Sequence, residues 1–216
     1  MEGVRRVTRA GPKRGWRHRL FAALLPLVSH QYEPLVAERK RRLFGCLHGR
    51  VVEIGAGTGV NLRYLPGDAE WLGVDPNPYM ERYIRAEAAR LGRDGAFCLG
   101  AAEQLPVPAR AADAVVGTLV LCSVTDLESA LREIVRVLRP GGRFVFIEHV
   151  GAPPGTRTRR RQDCICPLWR RLADGCHPNR DTVRWIERAG FSELHCESFT
   201  LPLPIAGPHI AGFAVK

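Results

Sequence analysis

Seven consecutive residues, Glu53-Ile54-Gly55-Ala56-Gly57-Thr58-Gly59, carry the strongest chemical signal in this chain of 216 residues. Glycine tolerates positive φ and lets a backbone approach a bound molecule closely. The spacing is Gly-x-Gly-x-Gly, and Val60 stands where a dinucleotide fingerprint places its last glycine. That fingerprint serves a pyrophosphate at a helix N-terminus. Here an acid, Glu53, opens the motif and suits an ammonium, met directly or through water. Asp75, 20 residues after Gly55, can accept hydrogen bonds from both hydroxyls of a ribose. Pro76 and Asn77 begin the next turn, beside the expected adenine. Together these residues ask for a nucleoside with an amino-acid tail and no phosphate. S-adenosylmethionine has that make-up.

Other residues bear on the group that would receive a methyl. His149 follows the apolar run Phe144 to Ile147, so it is expected at the carboxyl edge of a sheet, where α/β sites form. It reads either as a general base or as a histidine held by structural hydrogen bonds. Asp174, in Asp174-Gly175-Cys176, reads as an orienter of a base or as a turn cap. Cys164-x-Cys166 with Cys176-His177 lacks the paired Cys-x-x-Cys spacing of structural zinc sites. No metal is expected there, and the thiols are expected to pack as small apolar groups.

The elements that must position these residues alternate. Strands are expected at Arg50 to Ile54, Glu70 to Val74, Ala96 to Leu99, Asp113 to Gly117 and Arg143 to His149. Helices are expected at Pro78 to Leu91 and at Leu127 to Leu138, the second closed by Pro140-Gly141-Gly142. This order argues for βαβ units and a parallel sheet. Residues 151–181 read as partly helical around Trp169. Asp181 is expected to cap a helix reaching Ala189. Ser192 to Phe199 and His209 to Val215 read as a closing strand pair. Upstream, residues 1–15 read as disordered, Trp16 to Leu27 as a short helix, and Gln31 to Leu47 as a second helix. The expected division is a basic arm over 1–28 and one domain over 29–216, with the arm dispensable for cofactor binding.

The net charge is +10, and arginines crowd residues 5–19 and 157–171. Such an excess fits solvated segments or an acidic partner. The apolar run Phe21 to Val28 is too short to span a bilayer, but it could lie on an anionic membrane surface or belong to a targeting peptide. The seven cysteines are irregularly spaced and follow no secretory signal. The expected setting is therefore intracellular and cytoplasmic, with peripheral membrane contact open.

Glu53 to Gly59, Asp75, Gly100-Ala101-Ala102-Glu103-Gln104-Leu105-Pro106 and Leu138-Arg139-Pro140-Gly141-Gly142 resemble class I methyltransferases of the ubiquinone/menaquinone type. Residues Thr118 to Val124, Glu148-His149-Val150, Asp174-Gly175-Cys176 and Pro208 to Lys216 resemble more closely the thiol S-methyltransferases of the methyltransferase-like seven family. The likeness covers about residues 31–216. That family's long apolar N-terminal anchor is not matched.

The resemblance implies a Rossmann-like α/β fold with a mostly parallel seven-stranded sheet whose last strand is antiparallel. It implies S-adenosylmethionine held by Glu53, Gly55, Ala56, Gly57 and Gly59 at its methionine end and by Asp75 at its ribose. Ala102 and Glu103 would flank the adenine, and Thr118 and Leu119 would meet the sulfonium. The implied reaction is methylation of a small alkyl thiol. A quinol, a phospholipid amine, RNA or protein is the alternative acceptor, and a cofactor-binding regulator is the reading outside enzymes. Thr118-Leu119-Val120 stands where amino methyltransferases of nucleic acids carry Asn/Asp-Pro-Pro-aromatic, so no nucleic-acid partner is expected.

Overall fold

The computed structural model describes residues 15–216. The disorder expected over residues 1–15 therefore falls, Gly15 apart, outside the described residues. Seven strands form one sheet in the order β3-β2-β1-β4-β5-β7-β6. They are β1 (Arg50–Ile54), β2 (Glu70–Asp75), β3 (Ala96–Leu99), β4 (Ala112–Thr118), β5 (Leu138–His149), β6 (Glu193–Thr200) and β7 (Pro208–Val215). Strands β1 to β5 pair in parallel, and β7 runs antiparallel to both β5 and β6. The Rossmann-like plan and the antiparallel last strand are as the sequence led one to expect.

The order reverses between β1 and β4, which opens a crevice at their carboxyl ends. Parallel pairing brings Ile54, Asp75, Leu99 and Thr118 to that same edge. The residues that follow these strands are the ones expected to bind.

Helices α1 (Trp16–Phe44), α2 (Glu81–Arg90), α3 (Leu127–Val137), α4 (Arg157–Leu172) and α5 (Thr182–Glu187) accompany the sheet. In α3 the residues Leu127, Ala130, Leu131, Ile134 and Val137 are buried, a stripe at the helical period. Each large aliphatic so buried contributes about 1.5–3 kcal/mol. Asp126 caps the helix, its carboxylate accepting from Ser129 N at 3.1 Å and Ser129 Oγ at 2.6 Å. The helix ends at Val137 because Leu138 is already extended. Gly141, at φ +74°, then turns the chain so that its N–H bonds Lys216 O at 3.0 Å.

Two expectations change. The N-terminal region is one helix of 29 residues, not two, and it runs without a break across residue 28. Pro26 and Pro34 lie inside it, each lacking a helical N–H donor. The helix persists because Ala22, Val36 and Phe44 are buried in the core cluster on that face of the sheet. Asp181 makes no side-chain cap to α5; its carboxylate instead pairs with Arg184 at 3.1 Å. All seven cysteines are free thiols.

Candidate active site

A cavity of about 400 Å³ opens at the carboxyl edge between β1 and β4. The glycine motif forms its floor. Gly55 has φ +59°, and a Cβ there would come within 2.5 Å of Val120 Cγ2, so no other residue fits without displacing that wall. Gly59 does different work. It does not line the cavity; it sits at φ +75° with a notional Cβ 3.2 Å from Ile84 Cα, and so lets α2 pack against the loop.

Asp75 braces this loop as well as facing the cavity. Its Oδ2 accepts from Gly57 N at 3.0 Å and its Oδ1 from Asn77 N at 2.8 Å. Asn77 holds the next turn, accepting from Tyr79 N at 3.1 Å, and donates to His18 O of α1 at 3.0 Å. Ala102 and Glu103 line the far end, with Pro76 beside them. Glu103 accepts from Thr125 N at 2.8 Å, and Arg136 Nη2 fixes the same segment by donating to Leu105 O and Val107 O.

Glu53 is buried at the opposite end. It accepts from Trp71 Nε1 and Asn61 Nδ2, both at 2.8 Å. Burial drives its pKa from 4.5 to about 7 in spite of these bonds, because they replace only part of the lost hydration. Asn61 also donates to Thr118 Oγ1 at 3.1 Å, while its own Oδ1 is buried with no partner among the described residues. Thr118 and Leu119 both line the cavity. Leu119 has φ +56°, a left-handed conformation that costs a branched residue roughly 1–2 kcal/mol. Its N–H bonds Ile147 O at 2.9 Å, which holds the turn in place.

The sequence reading missed the roof, which is α1. Phe21, Leu25, Ser29, Tyr32, Glu33 and Lys40 all reach the cavity. Glu33 and Lys40, two helical turns apart, form a buried ion pair beside Glu53. Burial lowers the Lys40 pKa and the Glu33 carboxylate opposes that shift. The spacing of Ala22, Leu25, Ser29, Glu33, Val36 and Lys40 is helical, but its mixed polarity hid the inward face from a search for apolar periodicity.

The two candidate catalytic residues separate. Asp174 lines the cavity, with its Oδ1 3.5 Å from His18 Nε2. His149 does not line it. The ring is buried behind the wall, with Nε2 3.0 Å from Cys176 Sγ and Nδ1 unpartnered among the described residues. Burial by itself would lower its pKa, but Cys176 and Glu148 outweigh this and hold it raised. The side chain of the last β5 residue thus meets Cys176 and is not among those that line the cavity.

Across the cavity Glu33, Glu53, Asp75, Glu103 and Asp174 face one cation, Lys40, among the described residues. Walls of this sign repel a pyrophosphate and suit a ligand that carries an ammonium and a sulfonium. The residues present fit S-adenosylmethionine: a buried acid and an unpartnered amide oxygen would take its ammonium, a carboxylate would take its ribose, and small residues would flank its adenine.

Comparison with known proteins agrees with this geometry. Residues 52–146 match a family model described as a methyltransferase domain. The human thiol S-methyltransferase TMT1A is 39% identical over 86% of this chain and 81% of its own. The mouse thiol S-methyltransferase TMT1B is 39% identical over 91% of this chain and 84% of its own. Among solved structures, the [4+2]-cyclase SpnF superposes with a TM-score of 0.73 at 17% identity, over 98% of this chain and 99% of that one. At that identity the likeness speaks for the fold alone.

Proposed function

The chain belongs to the family of the thiol S-methyltransferases, enzymes that use S-adenosylmethionine on a class I fold, and from that premise we propose that its own acceptor is a small, largely apolar thiol. The observation that carries the reading is the division of the cavity, an acidic cradle at Glu53 and Asp75 beside an apolar wall of Phe21, Leu25, Val120 and Val124. When bound, the cofactor supplies a methyl carbon already activated by its sulfonium, so transfer calls for alignment more than for activation.

In this reading Glu53 takes the ammonium and Asp75 the ribose hydroxyls. Ala102 and Glu103 flank the adenine, while Thr118 and Leu119 face the reacting end. Phe21 and Leu25 exclude water from above. The thiolate is the nucleophile, and a free thiol has a pKa of about 8.5, so a nearby proton acceptor helps near neutrality. We assign that task to Asp174 with His18 beside it, a reading supported by Asp174 lining the cavity, which His149 does not. An acidic cavity also counts against RNA as acceptor.

The setting follows from the surface. Leu20, Leu24, Leu27 and Val28 of α1 are exposed, as are Leu168 and Leu172 of α4. Arg17 bonds Arg171 O, which joins the two helices beside the cavity mouth. No described helix is long and apolar enough to cross a membrane. This apolar strip among arginines supports peripheral contact with an anionic bilayer, and seven free thiols support an intracellular location.

Incubation with methyl-labelled cofactor and, separately, an alkyl thiol, a quinol, a phospholipid amine and RNA tests the assignment. Label in the thioether is the expected result. Label confined to the quinol, the amine or the RNA would overturn it.

A further inference from the structure

Behind the wall that Leu119 to Ser123 give the cavity, three side chains from three segments converge. Cys122 comes from the turn after β4, His149 from the last position of β5, and Cys176 from the loop between α4 and α5. They are 1%, 4% and 7% exposed. One ligand atom from each lies within 4.8 Å of the other two. His149 Nε2 is 3.0 Å from Cys176 Sγ, and Trp169 Nε1 donates to that sulfur at 3.1 Å. An indole N–H only donates, so Cys176 Sγ accepts that bond. Without a metal, the neighbouring Cys122 and burial hold the Cys176 thiol well above its ordinary pKa, and a bound cation would be needed to draw off its proton. These three residues fall in the stretches 118–124, 148–150 and 174–176 that carry the family resemblance. Methyl transfer as described above uses none of them.

We propose that Cys122, His149 and Cys176 form a Zn²⁺ site that ties the acceptor wall to the sheet. The donor set decides the ion. Two sulfurs and an imidazole are ligands for zinc, whereas magnesium and calcium require oxygen. Two thiolates and a neutral imidazole carry two negative charges, which Zn²⁺ cancels. Cu⁺ would leave one of the two negative charges uncancelled in a buried site, which is costly.

The geometry is close to what zinc needs. Tetrahedral bonds of about 2.3 Å to sulfur and 2.0–2.1 Å to nitrogen put the S and N atoms about 3.6 Å apart and the two sulfurs about 3.8 Å apart. To reach that arrangement the 3.0 Å contact must open by about half an ångström, and all three ligand atoms already lie within 4.8 Å of one another. Of the cysteines and the histidine weighed in the sequence for a metal, Cys176 alone belongs to this site. Cys164 is exposed on α4, and Cys166 Sγ is engaged with Asn179 Oδ1 at 3.4 Å.

The function follows from what the three segments carry. Leu119, Val120 and Ser123 line the cavity wall, and Asp174, which also lines it, lies two residues before Cys176. Zinc would fix both against β5. Its loss is expected to raise the KM for the acceptor several-fold while changing the cofactor Kd much less, because Glu53 and Asp75 stand on other strands.

The test uses the full chain, purified without chelators or a metal-affinity tag and then dialysed against Zn²⁺. Mass-spectrometric metal analysis is expected to find one zinc per chain. Replacement by Co²⁺ is expected to give the near-ultraviolet thiolate charge-transfer band of a tetrahedral site. Cys122→Ser, Cys176→Ser and His149→Gln should each weaken Zn²⁺ binding by at least about tenfold, with cofactor binding as the check that each variant is folded. Wild-type protein that retains no zinc and shows no cobalt band overturns the proposal, whatever the variants do. So does a Cys122–Cys176 disulfide found in the protein as isolated without reductant.

Discussion

Glu53 links cofactor affinity to pH. Burial raises its pKa from 4.5 to about 7, so the folded protein favours the neutral acid. Its contribution to stability is therefore full below about pH 4.5 and is lost as pH rises through about 7. Cofactor binding should run the other way, because an ammonium beside Glu53 favours the carboxylate. Calorimetric titration should show binding tightening between about pH 6 and pH 8, on either side of that pKa, and Glu53→Gln should flatten the trend. Asp75→Ala should raise the cofactor Kd by about tenfold or more, since two ribose hydroxyls lose their acceptor at about 1–3 kcal/mol each and the Gly57 loop loses its brace. An unchanged Kd would remove Asp75 from the site.

The proton acceptor is open to the same kind of test. His18→Ala or Asp174→Asn should slow turnover on a thiol most at low pH, where thiolate is scarce, and the defect should shrink once the thiol ionises unaided. His149→Gln should lose activity evenly across pH. The reverse pattern would return the base to His149. The glycine motif and Asp75 were legible in the sequence because the backbone dictates them: a left-handed turn demands glycine, and the acid must follow its strand. The place of His149 was not legible, since a strand end shows its position along the edge but not which way the ring turns.

At the scale of elements, α1 is the part that the sequence concealed. Its inward stripe mixes Ser29, Glu33 and Lys40 with apolar residues, and two prolines, Pro26 and Pro34, interrupt its sequence pattern. Yet Gly57 lies under Leu25, with a notional Cβ 3.2 Å from Leu25 Cδ2, and Asn77 is tied to His18 O. Removing residues 1–28 should therefore weaken cofactor binding by tenfold or so, about 1.4 kcal/mol, and not leave it intact as an independent arm would. Titration of the truncated chain, with circular dichroism as a check on folding, decides between them. Helix α3 was legible nearly to the residue, because one apolar stripe, one acidic cap and one Pro-Gly-Gly stop agree. Ile134→Ala should cost roughly 2–5 kcal/mol in urea unfolding, as expected for a fully buried side chain in a packed core.

On the scale of the whole molecule, the charge is divided between surface and site. The chain carries a net +10, yet its cavity is acidic. Composition recorded the first and could not record the second, which depends on five acids from distant segments meeting at one edge of the sheet. The basic exterior should bring the cavity mouth to anionic vesicles. Flotation with phosphatidylserine vesicles should show binding that falls with salt and on replacing Leu20, Leu24 and Leu27 with serine; binding that survives both would point to another surface. The acidic cavity suits a cationic donor and a neutral acceptor, the pairing that methylation of a thiol requires. The most direct measurement of it is a single turnover with trideuteromethyl cofactor and one apolar alkyl thiol, both products being quantified by mass spectrometry. One deuterated thioether should appear for each S-adenosylhomocysteine formed. S-adenosylhomocysteine without thioether, or no turnover on any thiol while a quinol is methylated, would contradict it.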